Sequence, residues 1–139
     1  MQKKRVLILC TANSARSQMA HGLLNDLASD QFDVFSAGTK PSQVNPFAIE
    51  AMQQVGIDIS HHTSDGIDLY INQSFDYVIT VCDKAAETCP IFPGPAHRLH
   101  WGFPDPAAVT GSHDDILASF AHVRDGLKQK LVDWLATNP

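Results

Sequence analysis

Residues 4–20 read KRVLILCTANSARSQMA, and the change of pattern inside them decides the fold. VLILC, residues 6–10, is a continuous apolar run of the kind that forms a strand buried in a parallel sheet. From residue 17 the chain continues SQMAHGLLNDLA, where Met19, Leu23, Leu24 and Leu27 fall on one helical face. Between strand and helix lies a short turn of small residues. Cys10 stands at its near end and Arg16 at its far end. The first strand therefore delivers a thiol to the start of a helix.

That placement has a chemical reading. A helix N-terminus offers unpaired N–H groups and a partial positive charge, and both stabilise a thiolate. Ala12, Ser14 and Ala15 are small enough, with Thr11, to let the backbone wrap a tetrahedral oxyanion. Arg16 can close the ring with a planar two-point grip that lysine does not reproduce. Ser17 can donate its hydroxyl to the thiolate. Asn13 tolerates left-handed backbone angles and can fasten the turn through its amide. The turn reads as an oxyanion cup, with residues 11–16 binding the anion and a nucleophile at its base.

Working outward, FDVFSAG (32–38) is a second strand. NPFAIEAMQQVG has Asn45 as N-cap, Pro46 in the first turn and Gly56 as a stop. SDGIDLYINQ predicts a short third helix, FDYVITVC a third strand and HRLHW a fourth. In the C-terminal helix Ser112 and Asp115 resemble a capping box, and Ile116, Phe120, Val123, Leu127, Leu131 and Trp134 share a face. This alternation predicts one α/β domain over residues 1–139, with a four-stranded parallel sheet and helices on both faces. Ligands of such sheets gather at the carboxyl ends of the strands. Cys10, Cys82 and the loop GFPDPAAVTGS (102–112) all belong to that edge.

Composition narrows the classes. Over 139 residues, 44% are apolar and 18% charged, which suits a packed domain. A formal net charge of −5 argues against a nucleic-acid binder, which needs a basic stripe. KKR at 3–5 is the sole basic cluster and reads as a solvated lead-in to the first strand. VLILC is too short for a signal core, and no apolar stretch approaches the ~20 residues of a membrane span. The expectation is a cytoplasmic monomer in which a structural disulfide is out of place. The three cysteines form no pair of close couplets, which argues against structural zinc. The seven histidines suggest no metal site either. His61 and His62, being adjacent, point apart on any regular element. Trp101 and Phe103 read as core residues.

CTANSARS resembles the signature loop of the low-molecular-weight protein tyrosine phosphatase fold. The longer CTANSARSQMA is similar to the branch of that fold formed by thioredoxin-coupled arsenate reductases. Asp105, in the pair Asp105-Pro106, resembles the acid that protonates the departing oxygen. VCDKAAETC supplies Cys82 and Cys89, which match the branch's second and third redox cysteines. The resemblance implies reduction of arsenate to arsenite through a Cys10, Cys82, Cys89 relay that ends in a Cys82–Cys89 disulfide. It implies no tightly bound cofactor. An external dithiol, thioredoxin or glutaredoxin with glutathione, restores the thiols. Were residues 82–89 helical when reduced, the helix would have to open for that bond to form.

The chain departs from the pattern in two places. Some members have a cysteine outside the relay where this chain has Ala15. Some hold potassium at a site that Asn13, Ser36 and Asp65 match. His21 stands where that site expects a glutamate, and an imidazole is a poor ligand for a hard cation. Two other functions use the same cup. A phosphomonoesterase needs Cys10, Arg16 and Asp105 alone, but Ala107 and Ala108 replace the aromatic wall a phenyl ring would want. A non-catalytic oxyanion sensor would bind phosphate tightly and keep Cys10 unreactive.

Overall fold

The structure is a computed structural model that describes residues 2–83, 87 and 89–139. Strand β1 (Lys4–Cys10) runs into helix α1 (Arg16–Ala28), followed by β2 (Phe32–Gly38) and α2 (Pro46–Gln53). Among the described residues β3 (Tyr77–Thr80), β4 (His97–His100) and the long α3 (His113–Leu135) complete the regular elements, apart from 3-10 turns at Ile67–Leu69 and Pro106–Ala108. The sheet order is β2-β1-β3-β4, and every pairing is parallel. The chain leaves β1 toward β2 and returns to the other side of β1 as β3. That reversal opens a crevice at the carboxyl ends of β1 and β3, where such sheets bind ligands.

Pleating divides β1 between two cores. Val6, Ile8 and Cys10 face one side with Met19, Leu23 and Leu24 of α1, Ala48 and Met52 of α2, and Phe120, Leu127 and Leu131 of α3. Leu7 and Leu9 face the other side with Ala37, Tyr70, Phe75, Val78 and Phe92. Among the described residues the three α-helices therefore lie on one face, and the other face carries the 3-10 helix Ile67–Leu69. The segment expected as a third helix forms only the 3-10 turn Ile67–Leu69. Aromatic rings replace a helix there: Phe35, Tyr70, Phe75 and Phe92 meet edge to face at centroid distances of 5.5–6.0 Å. Arg5 is no solvated lead-in. Its guanidinium lies 4.8 Å from the Phe35 ring and 4.6 Å from the Phe75 ring, a cation–π seal on that core.

The helix ends form as their residues direct. Asn45 accepts from Phe47 N–H at 2.8 Å, and Ser112 with Asp115 makes both bonds of a capping box. α1 differs, because its N-cap is Ala15 and no side chain caps it. Strand β3 stops at Thr80, earlier than FDYVITVC suggests. Val81 N–H still bonds to Leu9 O at 2.9 Å, so Cys82 follows a chain that is already fixed.

Gly38 joins the sheet to the turn. A β-carbon built there would lie 2.8 Å from Asn13 N and nearer still to Thr11 O, backbone that cannot move aside. Only glycine lets β2 end this close to the turn after β1. Gly38→Ala should therefore cost about 1–3 kcal/mol of stability by overpacking, read from urea midpoints. Its far-ultraviolet circular dichroism should stay native, and its affinity for sulfate should fall.

Candidate active site

Four successive carbonyls of the turn are tied outward. Thr11 O accepts from Lys40 N–H at 2.9 Å, Ala12 O from Ser64 Oγ at 2.9 Å, Asn13 O from Gln18 Nε2 at 3.0 Å and Ser14 O from Asn45 N–H at 2.9 Å. With the carbonyls turned out, the N–H groups are left for the cup. Among the described residues, no protein group accepts from the N–H groups of residues 11–15. Thr11 Oγ1 is the one buried side-chain oxygen or nitrogen among the described residues without a partner, and it belongs to this turn. The cup is a cavity of about 200 Å³ walled by Cys10, the turn, Arg16, Glu87, Asp105 and Ala107.

The hydrogen bonds around Cys10 have a definite direction. Asp65 N–H, which can only donate, reaches Asn13 Oδ1 at 2.8 Å and so fixes the orientation of that amide. Asn13 Nδ2 then donates to Ser17 Oγ at 2.7 Å. Ser17 Oγ thus accepts from Asn13 and keeps its own hydrogen for Cys10 Sγ, 2.9 Å away. Asn13 takes the expected left-handed conformation, with φ 47°. Cys10, Asn13 and Ser17 are all buried, and Cys10 is a free thiol.

Cys82 and Cys89 form a disulfide with their Cα atoms 6.0 Å apart. Seven residues of α-helix would separate the two positions by ~10 Å, so the bonded pair is not spaced as on a helix. Lys84, Ala85, Ala86 and Thr88, on which the expectation of a helix in the reduced form falls, lie outside the described residues. Cys82 is buried and Cys89 half-buried.

Arg16 departs from expectation. It is 4% exposed, yet its fork meets a carboxylate of the same chain: Nη1 lies 2.5 Å from Glu87 Oε1 and Nη2 3.0 Å from Oε2. Nη1 also donates to Phe103 O at 3.0 Å, so Phe103 aims the arginine as well as packing against the core. Burial opposes charge on Glu87, but the hydrogen bond from Arg16, that from Asp83 N–H and the Arg16 charge together hold its carboxyl below the usual range. Asp105 lies on the cavity wall and is exposed, and its Oδ1 accepts from Ala107 N–H at 3.0 Å. Glu87 was hidden in the sequence because it stands among residues that read as helix formers. An acid between two redox cysteines was the available signal.

The potassium match fails on its donor set. Ser36 Oγ pairs with His21 Nδ1 at 2.9 Å. Asn13 Oδ1 takes N–H donors from Asp65 and from Gln18, whose Nε2 also reaches Thr63 O at 2.9 Å. Asp65 accepts from Thr63 Oγ1 and Tyr70 OH. The buried Gln18 amide and the His21 ring therefore engage the groups a cation would need, and these residues do not fit one. His61 and His62 lie in a turn and not on a regular element. Their rings meet at 4.9 Å, and His62 lies 4.6 Å from His21.

A loop of outward carbonyls, a buried thiol with a directed donor, and a buried arginine beside an uncapped helix define an oxyanion-handling thiol site on a parallel α/β sheet. Comparison with known proteins agrees. The model of the low molecular weight phosphotyrosine protein phosphatase family matches residues 5–138. An arsenate reductase of Halalkalibacterium halodurans is 44% identical over 137 residues, 99% of each chain. A solved arsenate reductase in its oxidized state superposes with a TM-score of 0.81 at 33% identity, covering 96% of this chain and 98% of the other. The thioredoxin-dependent arsenate reductase of Corynebacterium glutamicum gives a TM-score of 0.63 at 27% identity, over 93% of this chain and 62% of its own. The chain belongs to the low molecular weight phosphatase family, and within it to the arsenate reductase branch.

Two tests probe this scaffold. Ser17→Ala should slow alkylation of Cys10 at neutral pH several-fold, measured with Cys82 and Cys89 held as the disulfide. Burial, with the neighbouring His62 and His61 charges, lowers the His21 pKa to about 4. The unfolded chain then takes up this proton first as pH falls from about 6.5 to about 4. Stability should drop across that window by on the order of 3 kcal/mol, with no further loss from this group below it. His21→Asn should flatten that part of a urea-midpoint profile.

Proposed function

We propose that the chain is an arsenate reductase working through three thiols. The carrying observation is the pairing, in one structure, of a free buried Cys10 at the base of the cup with a Cys82–Cys89 disulfide beside it. A phosphomonoesterase uses the first and has no need of the second.

Arsenate is held by the amides of residues 11–15 and by the Arg16 fork, with Thr11 Oγ1 as a further polar contact. The Cys10 thiolate, helped by Ser17, attacks arsenic. One oxygen leaves as water after Asp105 donates a proton. The Cys82 thiolate next attacks Cys10 Sγ. The sulfur–arsenic bond breaks and its electron pair stays with arsenic, which departs as arsenite. Cys10 and Cys82 are left as a disulfide. The Cys89 thiolate attacks Cys82 Sγ and releases Cys10 as a thiolate. The Cys82–Cys89 disulfide then awaits two electrons from an external dithiol protein.

The surroundings of Cys89 suit that last step. A groove of about 640 Å³ runs beside it, lined by Pro90, Ile91, Phe92, Arg98 and His100, and Ile91 is 88% exposed. A protein dithiol of the thioredoxin class can reach Cys89 there, whereas Cys82 is shielded. The relay requires thiols kept reduced, which fits a cytoplasmic setting. Among the described residues no helix is long and apolar enough to cross a membrane.

Arsenate-dependent NADPH oxidation tests the reading, run once with thioredoxin and its reductase and once with glutathione and glutaredoxin. Turnover is expected in the thioredoxin arm. Cys89→Ser should form about one arsenite per enzyme and stop, since Cys10 and Cys82 still form one disulfide. Multiple turnovers by that variant with thioredoxin as sole reductant would remove Cys89 from the relay. Asp105→Asn should retain sulfate binding but lose most of the turnover, about 10²-fold or more.

A further inference from the structure

Glu87 lies between the two cysteines whose bond records a finished turnover. Its carboxylate makes a bidentate, largely buried pair with Arg16, at 2.5 and 3.0 Å, and contributes to the wall of the cup. Its position is braced from its own segment: Asp83 N–H donates to Glu87 Oε1 at 2.9 Å, and Glu87 N–H donates to Asp83 O at 2.9 Å. A carboxylate and a tetrahedral oxyanion ask the same thing of a guanidinium, two parallel N–H donors. Arg16 has one such fork, and its Nη1 is further committed to Phe103 O.

We infer that Glu87 is an internal competitor of the substrate: in the Cys82–Cys89 disulfide form its carboxylate occupies the Arg16 fork and excludes oxyanions until the disulfide is reduced. The inference rests on the cup being the oxyanion site, and adds to it a residue that sets when that site is open. The disulfide holds the Cα atoms of Cys82 and Cys89 at 6.0 Å and so shortens the path on which Glu87 sits. Breaking it takes two electrons and two protons from an external dithiol, which becomes a disulfide in turn. Glu87 is then no longer held against the cup, and an oxyanion can take the fork. The enzyme thereby avoids binding arsenate when it has no electrons to give. Arg16 meanwhile keeps an anionic partner in the resting product state, where an unpaired buried guanidinium would be costly.

Inorganic sulfate is a suitable probe, because it is tetrahedral, unreactive toward Cys10 and doubly charged throughout the working pH range. Its affinity is measured by calorimetry on four samples: reduced wild type, disulfide wild type, reduced Glu87→Gln and disulfide Glu87→Gln. Mass spectrometry verifies the Cys82–Cys89 bond, and thermal melting verifies the fold. Disulfide wild type should bind sulfate at least tenfold more weakly than reduced wild type. Disulfide Glu87→Gln, which keeps the side-chain volume and loses the charge, should bind within about threefold of reduced wild type; a tenfold gap corresponds to about 1.4 kcal/mol. Equal affinity of the two wild-type forms would overturn the inference and leave the cup standing. So would a disulfide Glu87→Gln as weak as disulfide wild type, since the bond and not the carboxylate would then close the site. No sulfate binding by any of the four would overturn the cup itself, and the inference with it.

Discussion

The site depends on a buried positive charge that must always have a partner. Arg16 opens α1, is 4% exposed, and stands beside a helix start that no side chain caps. Burial works against its charge, while the hydrogen bond to Glu87 and the charges of Cys10, Glu87 and Asp105 work for it, and the balance favours the charged form. Carbonyls tied outward, an open helix end and a buried guanidinium all act in one direction. They gather positive potential around one small volume at the end of β1, which suits it to negative charge. Ser17 and Asn13 aim a hydrogen-bond donor at Cys10 in the same place.

The sheet supplies the rigidity this needs. β1 is central, paired in parallel with β2 on one side and β3 on the other, and its residues fill two separate cores. The turn at its end is held by bonds to three other parts of the chain, at Lys40, at Asn45 and at Ser64 with Asp65. Gly38 admits that close approach at the end of β2. The loop therefore owes its shape to its neighbours as much as to its own small residues.

Much of this was legible in the sequence. The run VLILC followed by a helical period gave the strand, the helix and the thiol between them. Asn45, Ser112 and Asp115 announced their caps, because capping is local chemistry. Other features arise from residues far apart in the chain. The second face of the sheet is covered by Arg5 and four aromatic rings from separate segments, so no period marks it. His21 and Gln18 meet Ser36, Asn13 and Thr63 only once the chain has folded. Glu87 reaches Arg16 across 71 positions, and its place between two cysteines was its one local mark.

The aromatic second face has a mechanical consequence. Phe92, three residues beyond Cys89, is 3% exposed and anchored in that core, while Val81 and Cys82 are locked on the other side of the segment. The Cys82–Cys89 bond lies between these two anchors, so the segment that carries it is clamped at both ends. Strain from making or breaking a bond within it ends at the clamps, and neither core has to give. The sheet, the oxyanion loop and α3 can then keep one shape through every oxidation state.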